Sequence, residues 1–258
     1  MEAEIVKVAI DGDVATVTVH RPEKLNALNG EVLEALLKVF CALNVRCCVL
    51  TGAGDKAFVA GADIAQMAKY TAEEAVRFAR LGHHLGAVMA EVPYPILAAV
   101  NGFCLGGGCE LALCCDLILA SDRAKFAQPE VGLGVIPGFG GTQRLARRVG
   151  VGKARELIYV GHTVDAQEAL AMGLADRVYP HEQLLPEALA MAGRIARNAP
   201  LAVAHAKRVL HTGENVPLAV ARELEVQAFG LCFATEDQKR GMQTFLESPK
   251  APRTFVGR

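Results

Sequence analysis

Serine is scarce in this chain. Of 258 residues only Ser121 and Ser248 are serines, and neither sits in a G-x-S-x-G elbow, which excludes a hydrolase nucleophile of that kind. A G-x-x-x-x-G-K-[ST] loop is missing too, and Gly138-Phe139-Gly140-Gly141 does not complete a dinucleotide fingerprint. Charge of either sign is not in surplus: 27 Lys and Arg face 28 Asp and Glu, a formal net charge of −1. Nucleic acid and anionic membranes are therefore not expected as partners. No apolar run of about eighteen residues escapes interruption by charge or glycine, so no transmembrane helix is expected. The cysteines at 41, 47, 48, 104, 109, 114, 115 and 232 include no C-x-x-C pair, and most lie in apolar runs. They read as buried free thiols in a reducing cytosol, and no metal site is expected. The acidic start, Met1-Glu2-Ala3-Glu4, has no signal-peptide pattern, and Phe255-Val256-Gly257-Arg258 carries no retention or peroxisomal signal. A cytoplasmic location is the expectation.

What is present in quantity is apolar surface, 52% of the residues, enough for a sizeable core. Ile5–Ile10 and Val14–Val19 alternate around Asp11-Gly12-Asp13 and predict a β-hairpin. Val32, Leu33, Leu36, Val39, Phe40 and Leu43 recur at helical spacing. Cys47–Thr51 predicts a buried strand, and Ala57–Ala60 a short strand feeding a helix start at Gly61-Ala62-Asp63. Thr71 and Glu74 have capping-box spacing for a helix over 72–91, on which His83 and His84 read as surface residues. After Gly141 the pattern is helical almost throughout, interrupted by a short strand within 173–178, with a second capping box at Asp165 and Glu168. The change from mixed α/β to all-helix places a soft boundary near residue 190.

The centre of the chain runs from Asn101 to Gly141. A strand at Ile96–Val100 turns at Asn101-Gly102, and Gly106-Gly107-Gly108 opens a helix with Glu110 in its first turn. Glycines leave the first amides of that helix uncovered, and these have no partner inside it, so they can face negative charge. A second strand over 116–120 leads to Gln128-Pro129-Glu130, where Pro129 restricts its own φ and biases Gln128 toward extended backbone. By residue type alone, Glu110 equally complements a helix dipole and Glu130 is one more loop acid. Together, two carboxylates beside open amides fit proton transfer next to a carbonyl.

The stretches Ala98–Gly102, Gly107–Glu110, Gln128–Glu130, Ile136–Gly138 and Gly140–Leu145 resemble, in order and spacing, the enoyl-CoA hydratase/isomerase (crotonase) family. Arg21-Pro22, Asn26–Leu28, Ala57-Phe58 and Ala60–Ile64 match upstream. The resemblance covers nearly the whole chain. It implies a crotonase-like α/β fold, a spiral of repeated β-β-α units over 1–190 followed by a helical trimerisation region over 191–258. It further implies hydration of a 2-trans-enoyl-CoA, with the amides of Ala62 and Gly107 as oxyanion hole and Glu110 and Glu130 as base and acid. Lys24, Ala27, Ala60, Gly61, Asp63, Ile64 and Gly138 are the implied substrate and CoA contacts, with Met67 near the acyl pocket and Lys56 within reach of phosphates. No cofactor is implied beyond the CoA of the substrate, and the expected assembly is a trimer or dimer of trimers. Isomerases, decarboxylases and dehalogenases of the superfamily share the oxyanion hole but differ in acid and base groups, so two glutamates favour hydration. Some relatives bind RNA, which the near-neutral charge balance disfavours. Arg240 before Gly241, a lengthened tail over 248–253 and a short connector at 43–45 depart from the family pattern.

Overall fold

The structure is a computed structural model that describes residues 5–258, so the acidic start at Met1–Glu4 lies outside the described residues. The chain opens with the expected antiparallel hairpin, β1 (Val6–Asp11) and β2 (Val14–Val19), turning at Gly12. Ala15, Val17 and Val19 of β2 are buried, whereas β1 is an exposed edge strand beyond Val6. The first helix, α1 (Gly30–Ala42), is capped by Asn29, whose side chain accepts from Val32 N at 2.9 Å.

Three turns of a spiral follow, each built alike. In the first, β3 (Cys47–Gly52) leads to β4 (Ala57–Val59), then α2 (Ile64–Met67) and α3 (Ala72–Glu91). In the second, β5 (Ile96–Val100) leads to β6 (Phe103–Leu105) and α4 (Gly107–Ala112). In the third, β7 (Leu117–Ser121) leads to β8 (Lys125–Ala127), a 3-10 turn over Glu130–Leu133, and α5 (Gly141–Val149). The first strand of each turn joins one sheet and the second strand joins another. The chain goes on through α6 (Val151–Val160), β9 (Val164–Asp165), α7 (Ala166–Ala171) and β10 (Arg177–Tyr179). The larger sheet is ordered β1-β2-β3-β5-β7-β10 and is parallel from β2 on; the smaller is ordered β4-β6-β8-β9. Strands β3 and β5 are buried along their whole length, as a parallel sheet covered on both faces requires. Gly102 turns the chain from one sheet to the other, and any side chain there would overlap the backbone of Lys56.

Helix α8 (His181–Ala196) buries Leu184, Ala188, Ala192 and Ala196, one per turn, and the first three pack on Val49, Leu97 and Leu119 of the large sheet. Residue 190, where the sequence suggests a boundary, thus lies inside a helix that covers the sheet. The purely helical region begins after Ala196 with α9 (Pro200–Gly213), α10 (Leu218–Cys232) and α11 (Glu236–Glu247). Lys207 pins α9 to the core, donating to the carbonyls of Met89 (2.8 Å) and Tyr94 (2.9 Å) and to Asp116 Oδ2 (3.0 Å). The tail after α11 folds back: the Asp237 carboxylate accepts from the amides of Val256 and Gly257 at 2.7 and 2.8 Å.

Candidate active site

The corners of the spiral meet at one place, where the ends of β4 and β6 face the start of α4. Leu28 forms a parallel bridge to Ala62: its N–H donates to Gly61 O (2.9 Å) and its carbonyl accepts from Asp63 N (2.7 Å). In a parallel bridge the residues on either side of the paired one supply the bonds, so the N–H of Ala62 itself points away from Leu28. Gly107 is the first residue of α4, and its N–H has no partner within the helix. A Cβ placed on Gly107 would stand 3.8 Å from Ala62 N, so the two unspent amides border one spot. Gly108 makes this approach possible, because a side chain there would overlap the Val59 carbonyl.

Loop 21–28 is braced against this corner by a buried asparagine. Asn26 has φ 59°, a conformation that asparagine tolerates better than most residues, and follows Leu25 at φ 49°. Its side chain donates to the carbonyls of Ala53 (3.0 Å) and Ala57 (2.8 Å) and accepts from Arg21 N (3.0 Å). Arg21 in turn donates to Ala27 O (2.6 Å) and pairs with Asp63 (3.3 Å), while Ala60 N donates to Leu25 O (3.0 Å). Ala27, Ala60, Gly61, Asp63 and Ile64 are thereby gathered around Ala62, with Lys24 exposed at the end of a 3-10 turn. The Asp63 carboxylate already has a partner in Arg21. Its position before α2 adds no side-chain cap.

Glu110 is buried, 3% exposed, in the first turn of α4. Its Oε1 accepts from Phe139 N and Gly141 N, each at 2.7 Å, and among the described residues Oε2 accepts from no protein group. Burial raises the pKa of this carboxyl, against the pull of the Gly141 and Phe139 amides and of the Arg144 charge. Glu130 is half-buried at the start of its 3-10 turn. Burial pushes its carboxyl up to about 7; its own backbone N–H opposes this, and the charge of Glu110 adds to it. A Cβ on Gly106, the residue that precedes α4 with φ 49°, would come within 2.7 Å of Glu130 Oε1. The Glu130 carboxyl therefore overhangs the turn into α4, beside Gly107. Gln128 is buried next to it, and with its amide nitrogen turned toward Glu130 it lies 3.1 Å from both carboxyl oxygens. Gly138 is exposed on the segment that supplies the Phe139 amide.

Ala27, Ala60, Gly61, Asp63 and Ile64 lie around the two amides, and Gly138 lies on the segment that clamps Glu110; among the described residues no contact ties Lys24, Lys56 or Met67 to either carboxyl. Sequence reasoning passed over Gln128 and Asn26 as functional residues, although both are polar residues in otherwise apolar surroundings. It also passed over Arg144, which donates to Phe139 O at 3.0 Å. Chemically, the site offers one buried carboxyl, one carboxyl protonated up to about pH 7, and two neighbouring amides that have no partner among the described residues. Such a set stabilises an oxyanion while protons are exchanged beside it.

Residues 9–254 match the family model described as enoyl-CoA hydratase/isomerase. The chain is 48% identical over 242 residues to a crotonyl-CoA hydratase of Syntrophomonas wolfei, covering 92% of this chain and 93% of that one. It is 44% identical to a short-chain-enoyl-CoA hydratase of Clostridium acetobutylicum, covering 97% of each. Among solved structures, an enoyl-CoA hydratase from Bacillus anthracis superposes with a TM-score of 0.95 at 36% identity, covering 99% of this chain and all of that one.

Proposed function

The chain belongs to the enoyl-CoA hydratase/isomerase family, and from that premise we propose that it is an enoyl-CoA hydratase acting on short 2-trans-enoyl-CoA thioesters. Water adds to C3, a proton reaches C2, and negative charge grows on the thioester oxygen. The amides of Ala62 and Gly107 receive that oxygen, and the loss of one such donor costs about 10²–10³ in rate in comparable sites. Glu110, with Oε2 unspent, takes the proton of the attacking water. Glu130, which holds its proton up to about pH 7, delivers one to C2. The observation that carries this reading is the unequal pair: two carboxyls beside one amide pocket, one clamped by two backbone donors and the other lifted toward neutrality. Burial raises both carboxyls, but only Glu110 has the Phe139 and Gly141 amides and the Arg144 charge pulling it back toward the ionised form, which suits it as the base of the pair.

The short-chain preference follows the names of the Syntrophomonas and Clostridium relatives. Lys24, Ala27, Ala60, Gly61, Asp63, Ile64 and Gly138 are proposed to contact the CoA thioester, Asp63 through its backbone because its carboxylate is engaged by Arg21. No cofactor enters the scheme, since the CoA travels with the substrate. The exposed apolar residues of α10 and α11, with Phe229 at 66% and Leu246 at 80%, support assembly into a trimer or a dimer of trimers. Five buried cysteines without disulfide partners fit a reducing compartment, and a cytoplasmic location is part of the proposal. Hydration rates across a series from crotonyl-CoA to long-chain enoyl-CoA, followed by loss of the conjugated-enoyl absorbance, test the reading. A kcat/KM that falls with chain length supports it; no hydration of any member overturns it.

A further inference from the structure

Helix α3 carries two glycines, Gly82 and Gly86, one turn apart and both buried. Glycine weakens a helix interior, so a pair on one face calls for a reason in packing. A Cβ on Gly82 would stand 2.9 Å from the Phe139 ring, and one on Gly86 would stand 2.6 Å from Arg144 Nη2. The two glycines form a notch that holds the Phe139 ring and the Arg144 guanidinium. Arg144 reaches back from α5 and donates through Nη1 to Phe139 O at 3.0 Å; the N–H of the same residue donates to Glu110 Oε1 at 2.7 Å.

We propose that Arg144 is a positioning residue for proton transfer at Glu110: seated in the Gly82–Gly86 notch, it holds Phe139 so that the amides of Phe139 and Gly141 grip Oε1 and leave Oε2 to the attacking water. This rests on the hydratase reading above. A planar guanidinium fixes a carbonyl in direction as well as distance, which an ammonium on a flexible stem does not. The charged and titratable groups around it are His83 from α3, Glu110 from α4 and Cys114 from the turn that follows α4. Burial raises the Cys114 thiol to about 12, so it stays neutral in the working range.

The test uses Arg144→Met and Arg144→Lys in the full-length enzyme, with crotonyl-CoA as substrate. Misplacement of a reacting group by about an ångström costs on the order of 10²-fold, so Arg144→Met should lower kcat by about that factor with KM unchanged. Its acidic limb should move to higher pH, because a charge that favours ionised Glu110 is gone. Arg144→Lys should keep the limb in place and recover part of kcat. If Arg144→Met does not fold, Gly86→Ala decides: it strengthens the helix yet displaces the guanidinium, and kcat should still fall by about tenfold. Wild-type kcat in whichever of these variants folds, with only the melting temperature altered, overturns the proposal and makes Arg144 structural. Glu110→Gln, run alongside, separates the two readings. If it is inactive while Arg144→Met is fully active, only this inference fails; if it stays active, the hydratase assignment of Glu110 fails first.

Discussion

Glu130→Gln should make the protein more stable and nearly inactive at the same time, and the stability gain should appear only on one side of neutrality. Burial lifts the Glu130 carboxyl from 4.5 to about 7 in the folded chain. Below the lower value both folded and unfolded chains hold the proton, and the residue has no pH-linked effect. As pH rises from 4.5 to about 7 the unfolded chain gives up its proton first, so ionisation favours unfolding and the folded state loses stability. At full strength the shift corresponds to about 3 kcal/mol, at about 1.4 kcal/mol for each factor of ten. Glu130 is only half-buried, and solvent screening reduces this to about 1–2 kcal/mol. A neutral glutamine of nearly the same shape removes that penalty. Thermal melts at pH 8 should place Glu130→Gln about 2–8 °C above wild type, and melts near pH 4.5 should show the gain absent. Hydration by the same variant should drop by about 10²–10⁴. An equal offset at both pH values, or a variant less stable at pH 8, would refute the claim that the folded site holds this carboxyl protonated against its solvation preference.

Hydration needs Glu110 ionised and Glu130 protonated, and dehydration needs the reverse. Both are the singly protonated pair, so kcat/KM in the two directions should share one bell-shaped profile with its alkaline limb near pH 7. A profile flat through the alkaline range contradicts this. Asn26→Ala should cost about 2–4 kcal/mol, since it removes three hydrogen bonds, one of them fully buried, and leaves alanine at φ 59°; a melting temperature within a degree of wild type would show that the bracing of loop 21–28 lies elsewhere. Light scattering at micromolar concentration should find a trimer or hexamer, and a stable monomer would mean that the apolar faces of α10 and α11 have another use.

Local rules in the sequence carried much of the architecture. The capping boxes at Thr71–Glu74 and Asp165–Glu168 both form, and the helix predicted over 72–91 spans those residues. The glutamates stood out because glycines on one side and a proline on the other leave few local options. What no local pattern exposes is closure in space. The amides that clamp Glu110 come from Phe139 and Gly141, 29 and 31 residues downstream, and they become donors to it only when α5 is docked. Strands β6 and β8 are three residues long, too short for alternation to register. The boundary near 190 follows from the change from mixed α/β to all-helical pattern, yet α8 continues across it because its alanine-rich stripe still faces the sheet. Nor does helical spacing show why α3 carries Gly82 and Gly86, which make room for a ring and a guanidinium from residues 139 and 144.

The decisive measurement is turnover of crotonyl-CoA by wild type, Glu110→Gln, Glu130→Gln and the double variant. Wild type should hydrate crotonyl-CoA, and each single variant should lose about 10³ in kcat while still binding the CoA product. Because the two carboxyls act as one unit, the double variant should fall little further than the singles. If either single variant hydrates crotonyl-CoA near the wild-type rate, that glutamate is structural, and isomerisation with one working carboxylate becomes the better description of the site.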